Sequence, residues 1–237
     1  TLSFFIIMLL KVKMKLSDQT ISILKNYSTI NESLLFTEGN RLRTIAKNKS
    51  LLASAKIEET IPVKFAIYNL NQFLSAMTMF GQADLDFTEK SVKMTFSDGR
   101  SINYTCADES LVITPPDKEI ADFTGDVSFV LTNESLDSIK KASATLGLPE
   151  VVFVGKPGTN FVARLIDLGN PSSSSMEIEL PEVSQVTCEV VYKVEVLKLM
   201  SNSYQVDISK QGIGRFTTGD QSVTYHITSE KQHTKFE

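Results

Sequence analysis

Four short helix-like patterns recur at nearly even spacing along a chain that otherwise consists mainly of strand-like segments. Their candidate starts are separated by 53, 63 and 60 residues, at Ser17, Leu70, Asn133 and Lys193. A β-rich segment leads into the second, third and fourth patterns. Regular spacing without residue identity is typical of a diverged structural repeat. The sequence therefore predicts an α+β fold in which a strand, a short helix and antiparallel strands occur four times.

The second pattern is the clearest helix, because its apolar residues recur at helical spacing. These residues are Leu70, Phe73, Leu74, Met77 and Phe80. Gly81 is expected to end this helix. The polar face of the same helix carries no charged residue.

The other three helices have signals of their own. The first can begin with Ser17 or Asp18 as its N-cap. The third can be capped by Thr132 or Asn133 and ended by Gly147. Its expected buried stripe consists of Leu136, Ile139 and Leu146, with Ala142 or Ser143. The fourth helix, expected around residues 193–200, has the weakest pattern.

Two hairpins are predicted where alternating apolar and polar residues flank a turn sequence. Asp98-Gly99 is a pair that type I′ turns favour. The second turn lies at residues 155–159, GKPGT, which we interpret as a turn and not as a phosphate-binding loop, because the upstream glycine of that motif is missing.

The periodic pattern breaks at residues 107–125, where Pro115-Pro116 and several acidic residues occur. We interpret this stretch as a linker between two similar subdomains, residues 14–106 and 126–237. Residues 1–13 begin with an apolar run and precede Met14, which opens a complete helix start. We expect residues 1–13 to be an extension that is not native or is disordered; an extra edge strand is the alternative.

Composition excludes several classes of protein. Hydrophobic residues make up 42% of the 237 residues, which excludes intrinsic disorder for the chain as a whole. The net charge of −4 excludes nucleic-acid binding by bulk charge. Cys106 and Cys188 are too few and too distant for a secreted disulfide framework, so we expect reduced thiols and a cytoplasmic setting. No run approaches 18 apolar residues, and we expect no membrane partner.

The sequence contains no pattern that indicates catalysis. Phosphate-binding, dinucleotide-binding, zinc-protease and serine-hydrolase motifs are all absent from it. His226 and His233, the two histidines, lack the short spacing of a zinc site with the cysteines. We therefore expect no enzymatic activity, no metal and no cofactor.

Lysines concentrate near the predicted helices. Residues 11–27 have a local charge of +3, from Lys11, Lys13, Lys15 and Lys25 against Asp18. Lys140 and Lys141 belong to the third helix, and Lys193 and Lys198 to the fourth. Since lysines on solvated helix faces are common, this layout alone favours an ordinary exposed surface.

Four short stretches stand out for their residue content: Met14-Lys15-Leu16-Ser17, Leu24-Lys25-Asn26, Thr29-Ile30-Asn31 and Ala66-Ile67-Tyr68-x-Leu70-Asn71-x-Phe73-Leu74. Together they resemble the T-even-type bacteriophage DNA polymerase sliding clamps. The resemblance starts at Met14 and extends to the end of the chain by element order. In residues it is strong over about the first 70.

The resemblance implies a noncatalytic ring protein. Its fold would be two similar clamp subdomains per subunit, with four short helices inside and antiparallel sheets outside, and three subunits closing head to tail. It implies a processivity factor that encircles double-stranded DNA without sequence readout and tethers the replicative DNA polymerase after an ATP-driven clamp loader has placed it. For a virus, the expected location is the host cell cytoplasm.

The resemblance also suggests site residues. Lys15 and Lys25 match basic positions of the family's first helix, and Lys140, Lys141, Lys193 and Lys198 are assigned to DNA contact by location. Leu111, Val112 and Ile113, near the linker, are candidates for an apolar partner-binding surface.

Two other classes fit part of the pattern. A noncatalytic β-rich virion or carbohydrate-binding protein fits the strand content but does not explain four evenly spaced helices. An unrecognised hydrolase fits only if a nucleophile or metal set exists that the sequence does not display.

Overall fold

The structure is a computed structural model that describes residues 13–117 and 125–237. The chain divides into two compact units. Unit 1 contains residues up to 47 and residues 54–115, and unit 2 contains residues 48–53 and the residues from 116 onward. The predicted extension, apart from Lys13, and residues 118–124 of the predicted linker lie outside the described residues.

The described residues of unit 1 form two α-helices and seven strands, one of which, β3, starts in the segment that belongs to unit 2. In chain order they are α1 (Asp18–Ile30), β1 (Leu34–Phe36), β2 (Gly39–Ile45), β3 (Leu51–Ile61), β4 (Phe65–Ile67), α2 (Leu70–Thr78), β5 (Asp84–Phe87), β6 (Ser91–Thr95) and β7 (Ser101–Thr105), followed by a 3₁₀ turn (Glu109–Leu111). Strand β1 pairs with β4, β2 with β3, and β5, β6 and β7 form a three-stranded antiparallel sheet.

The two helices of unit 1 begin at side-chain caps and contact each other. Ser17 accepts a hydrogen bond from the Thr20 N–H, and Asn69 accepts one from the Gln72 N–H at 2.9 Å. Because helix N-terminal N–H groups lack partners inside the helix, these caps fix where α1 and α2 start. Phe73 of α2 packs near Phe36 of β1, with ring centroids 6.2 Å apart, and the Phe36 ring stacks on that of Phe65 at 4.5 Å.

In unit 2, the residues that the structure describes form one α-helix and nine further strands. In chain order they are β8 (Val127–Leu131), α3 (Asn133–Leu146), β9 (Glu150–Gly155), β10 (Asn160–Ile166), β11 (Met176–Val183), β12 (Cys188–Lys193), a 3₁₀ turn (Val194–Val196), β13 (Tyr204–Ile208), β14 (Ile213–Thr218), β15 (Val223–Thr228) and β16 (Lys235–Phe236). One antiparallel sheet has the order β11-β10-β9-β12-β16, and another contains β15-β14-β13-β8.

Aromatic side chains fill the core of unit 2. The Phe129 ring lies 4.9 Å from Phe153 and 5.1 Å from Phe161. Tyr192 meets Phe216 edge to face at 5.9 Å. Helix α3 covers part of this core and contacts β10 and β11. It starts at Thr132, which accepts from the Ser135 N–H, and ends at Gly147, whose φ of 68° lies in the left-handed region.

The predicted α+β class and the two hairpins are confirmed, but the fourth helix is wrong. Only three residues, Val194–Val196, adopt a 3₁₀ turn there. Lys193, at the N-cap position, makes no side-chain cap hydrogen bond, and Val194 and Val196 are β-branched. Without a cap and with two β-branched residues at its start, so short a segment does not form an α-helix.

Three smaller expectations are also corrected. Leu146 is 45% exposed and does not belong to the buried stripe of α3, since it lies in the last turn. Helix α2 ends at Thr78, three residues before Gly81. The hairpin turn has a positive φ only at Gly99, so it is not the type I′ turn that Asp98-Gly99 predicts, which needs two such residues.

Candidate nucleic-acid interface

Lys15 lies before helix α1, on an extended stretch that we call the lead-in segment (residues 13–17). Since Ser17 is the N-cap, with an extended backbone at φ −65° and ψ 158°, the helix begins only at Asp18. The predicted cap at Ser17 is confirmed, and Lys15, which resembles a basic position of the family's first helix, precedes the helix in this chain and is exposed. Its Nζ lies 3.9 Å from Asp84 Oδ1, a loose pair between two solvated groups.

Lys25 lies on α1 itself and points to solvent. Among the described residues it has no ion pair. Asp18, in the first turn, is the only other charged residue of this helix, so α1 has no net charge. The basic character of residues 11–27 therefore comes from lysines that precede the helix, and Lys11 among them lies outside the described residues.

Helix α2 presents a polar face without charge, as its sequence predicts. Its exposed side chains are those of Asn71, Gln72, Ser75 and Thr78. These side chains can donate and accept hydrogen bonds, but they exert no long-range attraction on phosphate.

The two lysines of α3 differ in their availability. Lys140 is partly buried, and its Nζ donates to the Leu199 carbonyl at 2.9 Å. Burial lowers the pKa of Lys140, and Asp137 partly opposes this effect. Lys141 is exposed. Of the two, Lys141 is therefore the one that can reach an external phosphate without breaking an internal hydrogen bond.

Lys193 and Lys198 flank the 3₁₀ turn and do not lie on a helix. Lys193 is the last residue of β12, where it pairs with Glu150 of β9. Lys140 and Lys193 line one hollow of about 420 Å³ together with Glu150 and Glu195. The structure thus brings these two predicted residues together, but two carboxylates offset their charge.

The helices themselves carry no excess of positive charge. Helix α3 has Glu134 and Asp137 against Lys140 and Lys141, so it is neutral like α1 and α2. Of the predicted lysines, Lys25, Lys140 and Lys141 lie on helices. Lys15, Lys193 and Lys198 lie in segments that lead into or follow helical positions. The sequence pattern does not predict which lysines lie on a helix, because the helix ends are uncertain and a lysine near an expected helix is easily assigned to it.

The candidate partner-binding residues lie on a stretch that is tied to unit 1. The Ala107 N–H donates to the Ala66 carbonyl at 2.9 Å, and the Asn31 amide donates to the Ile113 carbonyl at 3.1 Å. Leu111 is 61% exposed and Ile113 is 41% exposed, whereas Val112 between them is buried. Only Leu111 and Ile113 of the three are therefore accessible to a partner.

The described residues offer neither a metal centre nor a membrane-spanning helix. Residues 13–117 and 125–237 contain no group of three or more His, Cys, Asp or Glu side chains that could hold a metal ion. In the same ranges, no helix is long and apolar enough to cross a membrane.

Comparison with known proteins gives concordant matches in sequence. Residues 15–114 match the family model described as DNA polymerase processivity factor. The chain is 34% identical over 221 residues to the sliding clamp of Vibrio phage KVP40, covering 92% of this chain and 99% of that protein. It is 31% identical over 228 residues to the sliding clamp of Enterobacteria phage T4, covering 93% of this chain and 99% of that protein.

The fold is similar to that of known clamp structures. PCNA from Thermococcus kodakaraensis matches with a TM-score of 0.68 at 13% identity, over 92% of this chain and 99% of that one. The pol III beta protein of Caulobacter crescentus matches with a TM-score of 0.67 at 13% identity, over 92% of this chain and 64% of that one.

Proposed function

Because the chain belongs to the DNA polymerase processivity factors, the sliding clamps of T4-like phages, we propose that it works as a homotrimeric ring that encircles duplex DNA and tethers the replicative polymerase. The observation that carries this proposal is the match to whole clamp proteins, 99% of their length, together with the clamp fold. The tether performs no chemistry and raises the effective concentration of polymerase at the primer end. An ATP-driven loader would place the ring on DNA in the host cell cytoplasm.

A ring requires contacts between copies, and each unit offers a strand edge for them. Among the described strands, β7 pairs only with β6, and β11 pairs only with β10. An open strand edge is a template for a strand of another chain. Pairing β7 of one copy with β11 of the next would join different surfaces, which is the head-to-tail contact that a closed ring needs.

The surroundings of the two edges complement each other. Strand β11 carries Glu177, Glu179 and Glu182, of which Glu177 pairs with Arg164 of β10, whereas Lys93 is exposed on the sheet of β7. A hollow of about 350 Å³ runs along β7 and is lined in part by Tyr68 and Tyr104. Val183 at the end of β11 is 50% exposed and is an apolar side chain of suitable size for such a hollow. Opposite charge and exposed apolar groups both favour this pairing.

DNA contact by the ring would use phosphates and not bases. Lys15 and Lys25 are exposed in unit 1, and Lys141, Lys193 and Lys198 are exposed in unit 2. Lysine contacts to phosphate position DNA without reading sequence. For partner proteins, we propose that Leu111 and Ile113 form part of the apolar docking surface.

Primer extension on a circular template, with the cognate polymerase and loader, tests the function directly. Addition of the protein should lengthen the products at limiting polymerase. Product lengths that do not change would contradict the tether. Size exclusion with light scattering tests the ring: a trimer has three times the chain mass of 26.3 kDa, and a species that is strictly monomeric at micromolar concentration would count against it.

The DNA-facing assignment is tested by charge reversal. Lys15→Glu with Lys25→Glu should shorten the residence time of the loaded protein on DNA, since two phosphate contacts are replaced by repulsion. The oligomeric state should stay unchanged. Lys210→Glu with Lys231→Glu is the matched control, because both lysines are exposed on other turns. Equal residence times for the two double variants would refute the assignment.

A further inference from the structure

Helix α1 carries only half of a capping box in its own sequence. In the complete motif, the N-cap side chain accepts from the N–H of the third helical residue, and a Glu or Gln at that position accepts from the N-cap N–H. Ser17 makes the first bond, from the Thr20 N–H at 3.2 Å. Thr20 occupies the position that needs Glu or Gln, and its hydroxyl does not make the second bond.

Glu59 of strand β3 supplies the missing acceptor from 42 residues away. One of its carboxylate oxygens accepts from the Ser17 N–H, and the other accepts from the Thr20 hydroxyl at 2.6 Å. Partial burial raises the pKa of Glu59, but these hydrogen bonds more than offset that effect and lower it overall. The carboxylate is therefore ionised at neutral pH and holds both donors.

Further hydrogen bonds, next to that of the Ser17 N–H with Glu59, anchor the lead-in segment that carries Lys15. Met14 and Leu85 exchange two backbone hydrogen bonds, at 2.9 and 2.7 Å. The Gln82 amide donates to the Leu16 carbonyl at 2.6 Å, and the Leu16 side chain is buried. Lys15 thus lies between fixed residues on both sides, while its own side chain is 56% exposed.

We propose that Glu59 is a positioning residue for DNA retention: it completes the cap of α1 from β3 and thereby fixes the direction in which the lead-in segment presents Lys15. This inference rests on the proposed function, because the direction of Lys15 matters only if Lys15 contacts DNA. A lysine on an anchored backbone loses less conformational freedom when it binds a phosphate than one on a loose segment. Glu59 therefore acts through Ser17 and Thr20 and does not itself touch DNA.

The first test measures the anchor in the free protein. Glu59→Gln keeps the shape of the side chain but removes the charge and one acceptor. Hydrogen exchange at the amides of residues 14–21 should become about tenfold faster, the loss expected for one hydrogen bond to a charged group. Glu58→Gln is the matched control, because Glu58 is the exposed neighbour on the other face of β3. Equal exchange in the two variants would overturn the proposal.

The second test measures residence on DNA after loading. Glu59→Gln should shorten it several-fold, whereas Glu58→Gln should not change it. Thr20→Val, which removes the hydroxyl donor, should shorten the residence time in part. Thr20→Ser keeps the hydroxyl and should leave the residence time as in the wild type. These two variants replace Glu59→Gln if that variant folds poorly. Faster exchange with unchanged residence would show a purely structural cap and overturn the positioning role.

The two proposals fail in different ways. If Lys15→Glu with Lys25→Glu leaves residence unchanged, the assignment of DNA contact is wrong, whatever the exchange data show for Glu59. If that double variant shortens residence and Glu59→Gln does not, DNA contact stands and the positioning role of Glu59 is wrong.

Discussion

Units 1 and 2 differ at their second helical position. In unit 1 this position is α2, a nine-residue helix. In unit 2 it is a 3₁₀ turn of three residues. Asn69 caps α2, whereas Lys193 caps nothing. Equivalent places in a repeated fold can therefore differ in secondary structure while apolar residues still reach the core, as Leu197 and Leu199 do beside the 3₁₀ turn.

Truncation of an apolar side chain to alanine should give the largest difference in stability between α2 and the 3₁₀ turn. Phe73 of α2 is 1% exposed and packs edge to face on Tyr104 at 5.2 Å. Phe73→Ala should lower the free energy of unfolding by about 3–5 kcal/mol, because it leaves a large cavity. Val196→Ala, in the partly buried 3₁₀ turn, should cost about 1 kcal/mol. Urea unfolding measures both, and equal losses would show that the turn supports unit 2 as strongly as α2 supports unit 1.

Substitution of the N-cap residue should give the next largest difference in stability between α2 and the 3₁₀ turn. Asn69→Ala takes away the acceptor of the Gln72 N–H and should cost about 1 kcal/mol. Lys193→Ala removes no cap and should stay within about 0.5 kcal/mol of the wild type. Thermal unfolding under identical conditions gives both values. A loss at Lys193 that equals the loss at Asn69 would contradict the explanation of the missing helix by its missing cap.

The smallest effect concerns pH and contrasts α1 with α3. Hydrogen bonds lower the folded pKa of Glu59, so its contribution to stability is present above the unfolded pKa and is lost as pH falls through the folded pKa. Glu59→Gln should therefore reduce the rise in stability between about pH 3 and pH 5. Thr132, the cap of α3, has no charge, so the loss caused by Thr132→Ala should not depend on pH in this range. Urea midpoints at several pH values measure both slopes, and parallel slopes for Glu59→Gln and wild type would refute the role of the Glu59 charge.

Local signals in the sequence predicted much of the fold. Thr132 and Gly147 mark the ends of α3 with residues whose own chemistry favours those positions. The apolar spacing of Leu70, Phe73 and Leu74 identified α2 in the same way. These predictions succeed because both the cause and the effect lie within a few residues.

Contacts between distant residues account for what the sequence did not predict. In the sequence, Glu59 is one of two adjacent acidic residues on a strand. No sequence pattern links it to Ser17, which lies 42 residues away. Likewise, the Nζ of Lys140 donates to the carbonyl of Leu199, 59 residues away. A lysine that the sequence assigns to DNA contact therefore makes a hydrogen bond inside unit 2. Helix period and charge counts cannot report either bond, because both depend on the tertiary fold.

The uncharged face of α2 has a consequence for motion. In the proposed ring, a helix that offers only amide and hydroxyl groups would exchange hydrogen bonds with water and phosphate at little net cost. Each one-base-pair step would then meet a shallow energy barrier there, since no strong ion pair has to break. The neutral side chains of α2 would thus favour fast one-dimensional diffusion of the ring along DNA; they are Asn71, Gln72, Ser75 and Thr78. The exposed lysines, which bind phosphate more strongly, would then limit the diffusion rate.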